Sequence, residues 1–198
     1  MSHRYIIGLT GGYCSGKNQV GKSIASRGFT VIDADLLAHD ALSMCAPRLA
    51  ETFGRGILFP DGSVNRRALG AIVFADKAAL RLHESIVHPV IMKLLDDEID
   101  KSGDVCINAT LLYRYPYEVE KCDFIIEVRA SLCTRLGRGK QRDGFGAREV
   151  LRRVHSQRYL WKMRPTAGPE VVFLGNNGSP QELEKRVGRL LEKKIILH

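Results

Sequence analysis

The stretch "GLTGGYCSGKN" at residues 8–18 decides the fold of this chain. It contains a glycine, four further residues, then Gly16 and Lys17. An apolar run at residues 5–9 overlaps its start and predicts a buried strand, and the apolar spacing from its end onward predicts a helix at about residues 16–27. A glycine-rich loop that joins a strand to a helix and ends in lysine is the pattern of a phosphate-binding loop. The sequence therefore predicts that the chain binds a nucleotide.

The residue types of this loop suit phosphate for physical reasons. Glycines allow successive backbone N–H groups to turn inward and surround phosphate oxygens. The following helix directs the positive end of its dipole at the same place, and Lys17 would reach the β- and γ-phosphates of ATP. A chance glycine-rich turn is the alternative, and the strand, the lysine and the helix together argue against it. The candidate nucleotide-binding residues of the loop are Gly11, Gly12, Tyr13, Cys14, Ser15, Gly16, Lys17, Asn18 and Gln19.

The residue after the lysine departs from the usual pattern. A Ser or Thr at this place supplies a hydroxyl that ligates Mg²⁺, whereas this chain has Asn18. An amide oxygen is also a ligand for hard cations, but the Asn side chain is neutral and longer. We take Asn18 as the candidate metal ligand and expect a weakened or water-mediated Mg²⁺ contact, with nucleotide binding retained.

Composition and charge limit the class of protein. The chain has 198 residues, of which 44% are hydrophobic and 26% charged, as is usual for one globular domain. It carries 30 Lys and Arg against 22 Asp and Glu, and the net charge of +8 favours anionic partners. Its five cysteines are odd in number and lack metal-ligand spacing, which disfavours a disulfide framework or a zinc site and suits a reducing cytosol. Since no signal peptide or membrane span is recognisable, we expect a cytoplasmic protein with no membrane partner.

The order of the predicted elements indicates the fold class. Strands are predicted at residues 5–9, 29–33, 104–109 and 122–128 and within 170–178, and they alternate with helices. This alternation predicts an α/β protein with three layers (α/β/α), built around a five-stranded parallel sheet that is covered on both faces. We expect one domain over residues 1–198. It would consist of a core at 1–35 and 104–198, a basic lid at about 135–147 and a helical insertion at about 36–103.

Local signals predict where several helices begin and end. Within the insertion we expect the helical pattern to be broken at Pro47, at the turn "FPDG" (residues 59–62) and at Pro89. A long helix is predicted at about residues 147–162. The last helix begins at "SPQE", where Ser179 and the Glu three residues later predict a capping box.

Nearly the whole chain, from residue 5 to about residue 191, resembles the dephospho-coenzyme A kinases. These P-loop kinases phosphorylate the ribose 3′-hydroxyl of dephospho-CoA in the last step of CoA synthesis. The family's "LTGGIGSGKS" stands here as "LTGGYCSGKN". Further family motifs follow in the family's order, namely "DAD" at residues 33–35, "HP.I" at 88–91, the lid arginines Arg138 and Arg142, Gln157, and "NNG" at 176–178. The resemblance implies ATP and Mg²⁺ as cofactors and dephospho-CoA as the substrate.

The resemblance also implies roles for individual residues. Asp33 would be the base that orients the ribose 3′-hydroxyl and accepts its proton. Helix capping is the alternative role at this place, with Asp35 as the better candidate. Arg138 and Arg142 lie four residues apart and would share one helix face. As part of a lid they would stabilise charge on the transferred phosphoryl group and exclude water. The catalytic residues are thus expected to be Asp33, Lys17 and Arg142, with the helical insertion binding the acceptor.

The third predicted strand departs from the family pattern. The family's "D.PLLFE" reads "NATLLYR" here, with Asn108, Thr110 and Arg114 at the changed places. Two positions near the expected metal, Asn18 and Asn108, are therefore both asparagine, and one carboxylate charge is lost. We expect this loss to affect metal affinity and rate more than the fold.

Three functions are compatible with these observations. The first is a kinase that converts ATP and dephospho-CoA to ADP and CoA. The second is a catalytically weakened sensor of nucleotide or CoA, favoured by Asn18 and Asn108 and opposed by Lys17, Asp33 and Arg142. The third is a nucleic-acid-dependent ATPase, suggested by the net charge, but the chain lacks interleaved aromatic residues or a recognisable binding module. We expect the kinase, without a nucleic-acid partner and as a monomer or weak homo-oligomer.

Overall fold

The computed structural model of the chain describes residues 3–195. Its five strands form one parallel sheet in the order β2-β3-β1-β4-β5. The strands are β1 (Ile6–Gly11), β2 (Thr30–Asp33), β3 (Val105–Asn108), β4 (Phe124–Arg129) and β5 (Glu170–Gly175). The α/β class and the five-stranded parallel sheet are thus confirmed, and the strand ends lie one or two residues from the predicted ones.

Nine α-helices accompany the sheet in the described part of the chain. They are α1 (Lys17–Ala25), α2 (Ala34–Met44), α3 (Ala46–Phe53), α4 (Arg66–Val73), α5 (Lys77–Asp100), α6 (Pro116–Glu120), α7 (Leu132–Asp143), α8 (Ala147–Ser156) and α9 (Pro180–Ile195). The chain divides into two compact units. One unit runs up to Asp33 and resumes at Ser102, and it contains the sheet with α1 and α6–α9. The other unit, Ala34–Lys101, contains α2–α5.

The sheet of the first unit is buried on both faces at its central strands. On one face, Ile7, Leu9 and Ile126 pack against α1 and α9. On the other face, Ile107 and Ile125 are fully buried. Parallel strands that are covered on both sides need apolar residues at consecutive positions, and the "FIIEV" of β4 shows this pattern. The helix side chains in this core are Val20, Ile24, Leu183, Val187 and Leu191.

The helical unit has its own core and contains the predicted turn. Gly62 has a φ of 82°, and its N–H donates to the carbonyl of Phe59 at 2.9 Å. Leu58 and Val64 form a single antiparallel bridge across this turn. A proline followed two residues later by a glycine favours such a reversal, so the expected turn is confirmed. The buried core of the unit comprises Ala41, Cys45, Leu49, Ile57, Leu69, Val73, Ile86 and Val87.

The predicted break at Pro89 is wrong. Pro89 lies inside α5, which continues without interruption from Lys77 to Asp100. A proline removes one hydrogen bond from a helix and strains the preceding turn. Here Ile86 and Val87 before it and Leu95 and Ile99 after it are buried, and this packing keeps the helix continuous across the proline.

Two expectations near the carboxyl end have different outcomes. The capping box is confirmed, since Ser179 N–H donates to Glu182 Oε2 at 2.9 Å and Glu182 N–H donates to Ser179 Oγ at 3.3 Å. The single helix expected at residues 147–162 is shorter than predicted: α8 ends at Ser156, and Arg158–Met163 forms a 3-10 helix. Gln157, at the junction, uses its side chain in a tertiary contact described below.

Helix α2 begins directly after β2. Asp35 lies in its first turn and not in the flanking position that a capping residue occupies. The residue that flanks α2 is Asp33, so the capping position belongs to Asp33 and not to Asp35. Among residues 3–195, no helix combines the length and the apolarity that crossing a membrane would require.

Candidate active site

The glycine-rich loop lies between β1 and α1, as predicted. Gly16 has a φ of 89°, and a Cβ at this residue would stand 2.1 Å from Asn176 Nδ2, so only glycine fits. Lys17 is the first residue of α1 and is only 8% exposed. The first N–H groups of a helix have no partner within that helix. The amino-terminal end of α1, which starts at Lys17, therefore offers backbone N–H donors and the positive end of the helix dipole.

The carbonyl groups of the loop are held from one side by long-range donors. Arg135 Nε donates to the carbonyl of Tyr13 at 2.6 Å, and Arg138 Nη1 donates to that of Ser15 at 3.0 Å. Asn176 Nδ2 donates to the same Ser15 carbonyl at 2.9 Å. When consecutive carbonyls turn to one side, the N–H groups between them face the opposite side and form a concave anion site. These donors therefore restrict the conformation of the loop, and such a conformation suits an anion.

The two predicted lid arginines have different surroundings. Arg138 lies beside the loop and also donates to Asn176 Oδ1 at 3.2 Å. Arg142 is 61% exposed and donates to both oxygens of Asp143, at 2.8 and 2.7 Å. Its hydrogen bonds lower the pKa of Asp143 to about 2, and those same bonds raise the pKa of Arg142. Both arginines belong to α7, which confirms that they share a helix.

The ends of three strands bring Asp33 close to the two asparagines. In the sheet register Asn108 pairs with Asp33 on one side and with Leu9 on the other. Neighbouring strands of a sheet lie about 4.8 Å apart. Asn108 Nδ2 donates to Asn18 Oδ1 at 3.4 Å. The structure thus brings together Asp33 and the two asparagines, Asn18 and Asn108, that replace other residues of the family motifs.

Asn108 is the feature of this group that points to a ligand. It is only 5% exposed, and its Oδ1 has no hydrogen-bond partner. A buried acceptor without a partner is costly, and a hard cation or a water bound to one would satisfy it. Asn18 and Asn108 therefore fit Mg²⁺ as oxygen donors. Within residues 3–195 there is no group of three or more His, Cys, Asp or Glu side chains that could hold a metal.

Sequence reasoning missed several residues that shape the loop. Arg135 lies one helical turn before Arg138, and this spacing on one face could have identified it. Gln157 Oε1 accepts from the N–H of Tyr13 at 2.6 Å. Both Gln157 and Asn176 were matched to family motifs, but no role could be given to them. Asn176 follows β5 directly, at the carboxyl edge of the sheet where ligands of such folds bind.

A buried carboxylate supports the region next to the loop. Glu127 of β4 is only 3% exposed and receives hydrogen bonds from Arg164, at 2.8 and 3.0 Å, from Arg129 at 2.8 Å and from Tyr113 at 2.9 Å. Burial, together with the charge of Glu127, raises the pKa of Tyr113. The sequence showed only one charged residue within an apolar strand. A buried carboxylate with several charge-assisted partners fixes its neighbours in place.

Comparison with known proteins places the chain among kinases. A family model described as dephospho-CoA kinase matches residues 5–180. The dephospho-CoA kinase of Geobacter sulfurreducens is 36% identical over 197 residues, covering 96% of this chain and 98% of that protein. The structure of TT1252 from Thermus thermophilus is 31% identical with a TM-score of 0.79, covering 97% of this chain and 98% of that one. The dephospho-CoA kinase from Campylobacter jejuni has the same fold, with a TM-score of 0.63 at 23% identity, covering 95% of this chain and 96% of that one.

Proposed function

Because the chain belongs to the dephospho-CoA kinase family, we propose that its glycine-rich loop and the adjoining strand ends transfer the γ-phosphoryl group of ATP to dephospho-CoA. The enzyme phosphorylates the ribose 3′-hydroxyl of dephospho-CoA and releases CoA and ADP. The observation that supports this site best is the loop itself. Its carbonyls accept hydrogen bonds from Arg135, Arg138 and Asn176, so we expect N–H groups on the opposite side of the loop to face one concave space.

The loop would hold the triphosphate of ATP. The N–H groups of residues 14 and 16–18 and the amino-terminal end of α1 supply donors and positive potential, whereas the N–H of Ser15 donates to the carbonyl of Gly12 at 2.9 Å. Lys17 adds a full charge in a nearly buried position. The N–H of Tyr13 is bound to Gln157, so we assign phosphate binding to the amides that follow it. Gly11, Gly12 and Gln19 would shape the two ends of the loop.

Asp33 would act as the base. It stands at the carboxyl end of β2, beside Asn108 in the register, at the sheet edge where α/β proteins bind ligands. In the reaction the 3′-oxygen of the acceptor forms a bond to the γ-phosphorus. The bond from that phosphorus to the β–γ bridging oxygen breaks, and ADP leaves. The proton of the hydroxyl would pass to the Asp33 carboxylate.

The arginines of α7 would stabilise the charge that spreads over the transferred group. Phosphoryl transfer depends mainly on positioning and electrostatic stabilisation. Arg138 already lies against the loop, while Arg142 extends from the exposed end of the same helix. We assign the stabilisation of the γ-phosphoryl oxygens to Arg142. The support of the loop, together with a contact to the phosphates, is assigned to Arg138.

Asn18 and Asn108 would hold Mg²⁺ directly or through water. When bound, Mg²⁺ neutralises charge on the β- and γ-phosphate oxygens. The unpartnered oxygen of Asn108 supports this assignment. Because both ligands are neutral amides, the protein contributes less charge to this site than a carboxylate would.

Other partners follow from the family and remain predictions. We assign acceptor binding to the helical unit Ala34–Lys101, and we expect a monomer or weak homo-oligomer that does not bind nucleic acid. A cytoplasmic location also stays a prediction. Neither the family match nor the site geometry favours the sensor function, because Lys17, Asp33 and Arg142 are all present.

A coupled assay of ADP release tests this function. With ATP and Mg²⁺, dephospho-CoA should be phosphorylated much faster than adenosine or a nucleoside monophosphate. Asp33→Asn should lower kcat by a factor of about 10² to 10⁴, the range that a general base contributes. Release of ADP that does not depend on dephospho-CoA, or an Asp33→Asn variant as fast as the parent, would contradict the proposal.

A further inference from the structure

The backbone of Tyr13 is fixed by hydrogen bonds on both sides of the residue. Its N–H donates to Gln157 Oε1 at 2.6 Å, and its carbonyl accepts from Arg135 Nε at 2.6 Å. These bonds tie both sides of one residue to the segment that follows β4. The direction in which the Tyr13 side chain points is therefore set by the loop, and a change in the loop's shape would move the side chain with it.

The Tyr13 side chain ends in the lid. Its hydroxyl donates a hydrogen bond to Asp143 Oδ2. The guanidinium carbons of Arg142 and Arg153 stand 5.3 and 5.4 Å from the centre of its ring, within the range of a cation–π contact. A Cβ on Gly139 would lie 2.6 Å from Val150 and 3.6 Å from the Tyr13 ring. The glycine thus lets α8 pack closely on α7 beside that ring.

Asp143 connects the tyrosine to an arginine with a proposed catalytic role. It binds Arg142 through Nε and Nη2, and a guanidinium has further N–H donors on its other terminal nitrogen. Burial and the hydrogen bond to Asp143 raise the pKa of Tyr13 to about 12. Asp143 itself has its pKa lowered to about 2. Across the neutral pH range, the group is therefore a protonated phenol, a carboxylate and a guanidinium.

We propose that Tyr13 is a positioning residue that sets the orientation of Arg142 through Asp143, and so couples the shape of the phosphate-binding loop to the lid. The inference rests on the role proposed above for Arg142. Asp143 orients the guanidinium by binding two of its donors, and Tyr13 holds Asp143 in register with the loop. The donors of Arg142 that face away from Asp143 are then directed towards the transferred group.

The proposed coupling depends on the hydroxyl group of Tyr13. The family motif quoted above has Ile where this chain has Tyr13. An aliphatic side chain can pack on the lid but cannot donate a hydrogen bond to a carboxylate. The hydroxyl of Tyr13 therefore gives this chain a direct polar link between loop and lid, which an Ile could not provide.

The test compares Tyr13→Phe in two backgrounds. Phenylalanine keeps the ring under the arginines and removes only the hydroxyl. In the parent, kcat for CoA formation should fall about tenfold, at the low end for a hydrogen bond to a charged group. The KM for ATP should change by less than about twofold, because Lys17 and the loop amides remain. In an Arg142→Ala background, the same substitution should change kcat by less than about twofold.

Two further variants separate positioning from folding. Asp143→Asn removes the carboxylate that binds Arg142, and combining it with Tyr13→Phe should lower kcat no further than the larger single effect. Tyr5→Phe is the matched control, since it removes a tyrosine hydroxyl that donates to the carbonyl of Ile195, away from the lid. Its kcat should equal that of the parent. Thermal melting of each variant should stay close to that of the parent.

The outcomes distinguish this inference from the proposed function. If Tyr13→Phe lowers kcat equally in the parent and in Arg142→Ala, the tyrosine does not act through Arg142 and the inference is wrong. An unchanged kcat in the parent background would also overturn it. If the unaltered protein forms no CoA from dephospho-CoA, the proposed function itself fails. A tenfold loss that disappears in Arg142→Ala supports the coupling.

Discussion

Two neighbouring parts of this site differ in how their buried acceptors are hydrogen-bonded, although Ser15 Oγ in the loop, like Asn108 Oδ1, has no partner. The carbonyls of Tyr13, Cys14 and Ser15 all accept hydrogen bonds from side chains that follow β4 or β5. At the carboxyl end of β3, by contrast, Asn108 buries an oxygen that has no partner. The first part keeps Gly11, Gly12, Gly16 and Lys17 of the family motif but has Cys14 in place of a glycine, whereas the second departs from the motif at Asn18 and Asn108.

This difference suggests that nucleotide binding depends on the loop and metal binding depends on the end of β3. The bonded carbonyls of the loop restrict its backbone, because each is held by a side chain from a distant part of the chain. A buried acceptor without a partner gains when a ligand satisfies it. We infer that the loop is shaped before ATP binds, and that the end of β3 is completed only by what binds there.

Of the changes considered, removal of Lys17 from the loop should have the largest effect on activity, and it tests whether the loop binds the nucleotide. Lys17→Ala deletes a charge that the surrounding amides cannot replace, so kcat/KM for ATP should fall by about 10³ or more. Lys22→Ala is the matched control on the same helix, because Lys22 is exposed. Steady-state kinetics with dephospho-CoA measure both. An equal loss in the two variants would mean that general charge, and not this position, matters.

Removal of Asn176, which hydrogen-bonds the loop, should have the next largest effect, and this effect is on stability. Asn176→Ala removes the donor to Ser15 and the acceptor for Arg138. Arg138 still donates to the Ser15 carbonyl, but two hydrogen bonds are lost, one of them with a charged donor, so the free energy of unfolding should fall by about 1–3 kcal/mol. Asn177→Ala is the control, since Asn177 is exposed and binds Ser131 instead. Urea unfolding of both variants, with and without ATP, tests this. Equal stability of the two variants would refute a specific role for Asn176.

Restoring the family residues at positions 18 and 108 tests whether the end of β3 contributes to metal binding. Asn18→Ser should lower the Mg²⁺ concentration needed for half-maximal rate, and adding Asn108→Asp should lower it further, by about three- to tenfold in total, since a carboxylate adds charge to the site. Titration of Mn²⁺ binding to the ADP complex provides a readout apart from activity. Unchanged metal affinity and an unchanged Mg²⁺ requirement would show that substrate oxygens and water alone hold the cation.

The smallest expected effect is on the pH dependence of stability, and it concerns Asp143. The pKa of Asp143 is lowered from 3.8 to about 2 in the folded protein, first by Arg142 and then by Tyr13. A lowered folded pKa contributes stability that is present above about pH 4 and is lost as the pH falls towards 2. Asp143→Asn should therefore be slightly less stable than the parent at neutral pH, with the difference shrinking below about pH 4. Chemical unfolding at several pH values measures this. A difference that does not depend on pH would contradict the assignment.

The elements that sequence reasoning predicted well are those with strong local signals. The strand, loop and helix that contain the phosphate motif follow from an apolar run, two glycines and helical spacing. The capping box at Ser179 and the turn at Gly62 likewise depend on residues only a few places apart. Pro89 was misjudged because its effect on α5 was decided by the burial of Ile86 and Val87, which a local rule does not include.

The chain of amino acids by itself determined the order of the elements, the position of the phosphate-binding loop and the candidate residues Asp33, Lys17 and Arg142. The order of the elements and the position of the loop depend on periodicity and on a short motif, and the catalytic roles of the three residues follow from the resemblance to the dephospho-CoA kinases. Only the tertiary structure decided how the loop is held and what its neighbours do. Gln157 reaches Tyr13 across 144 residues, and Asn176 reaches Ser15 across 161. Such contacts arise because parallel strands end at one edge of the sheet, which brings segments together that sequence spacing cannot relate.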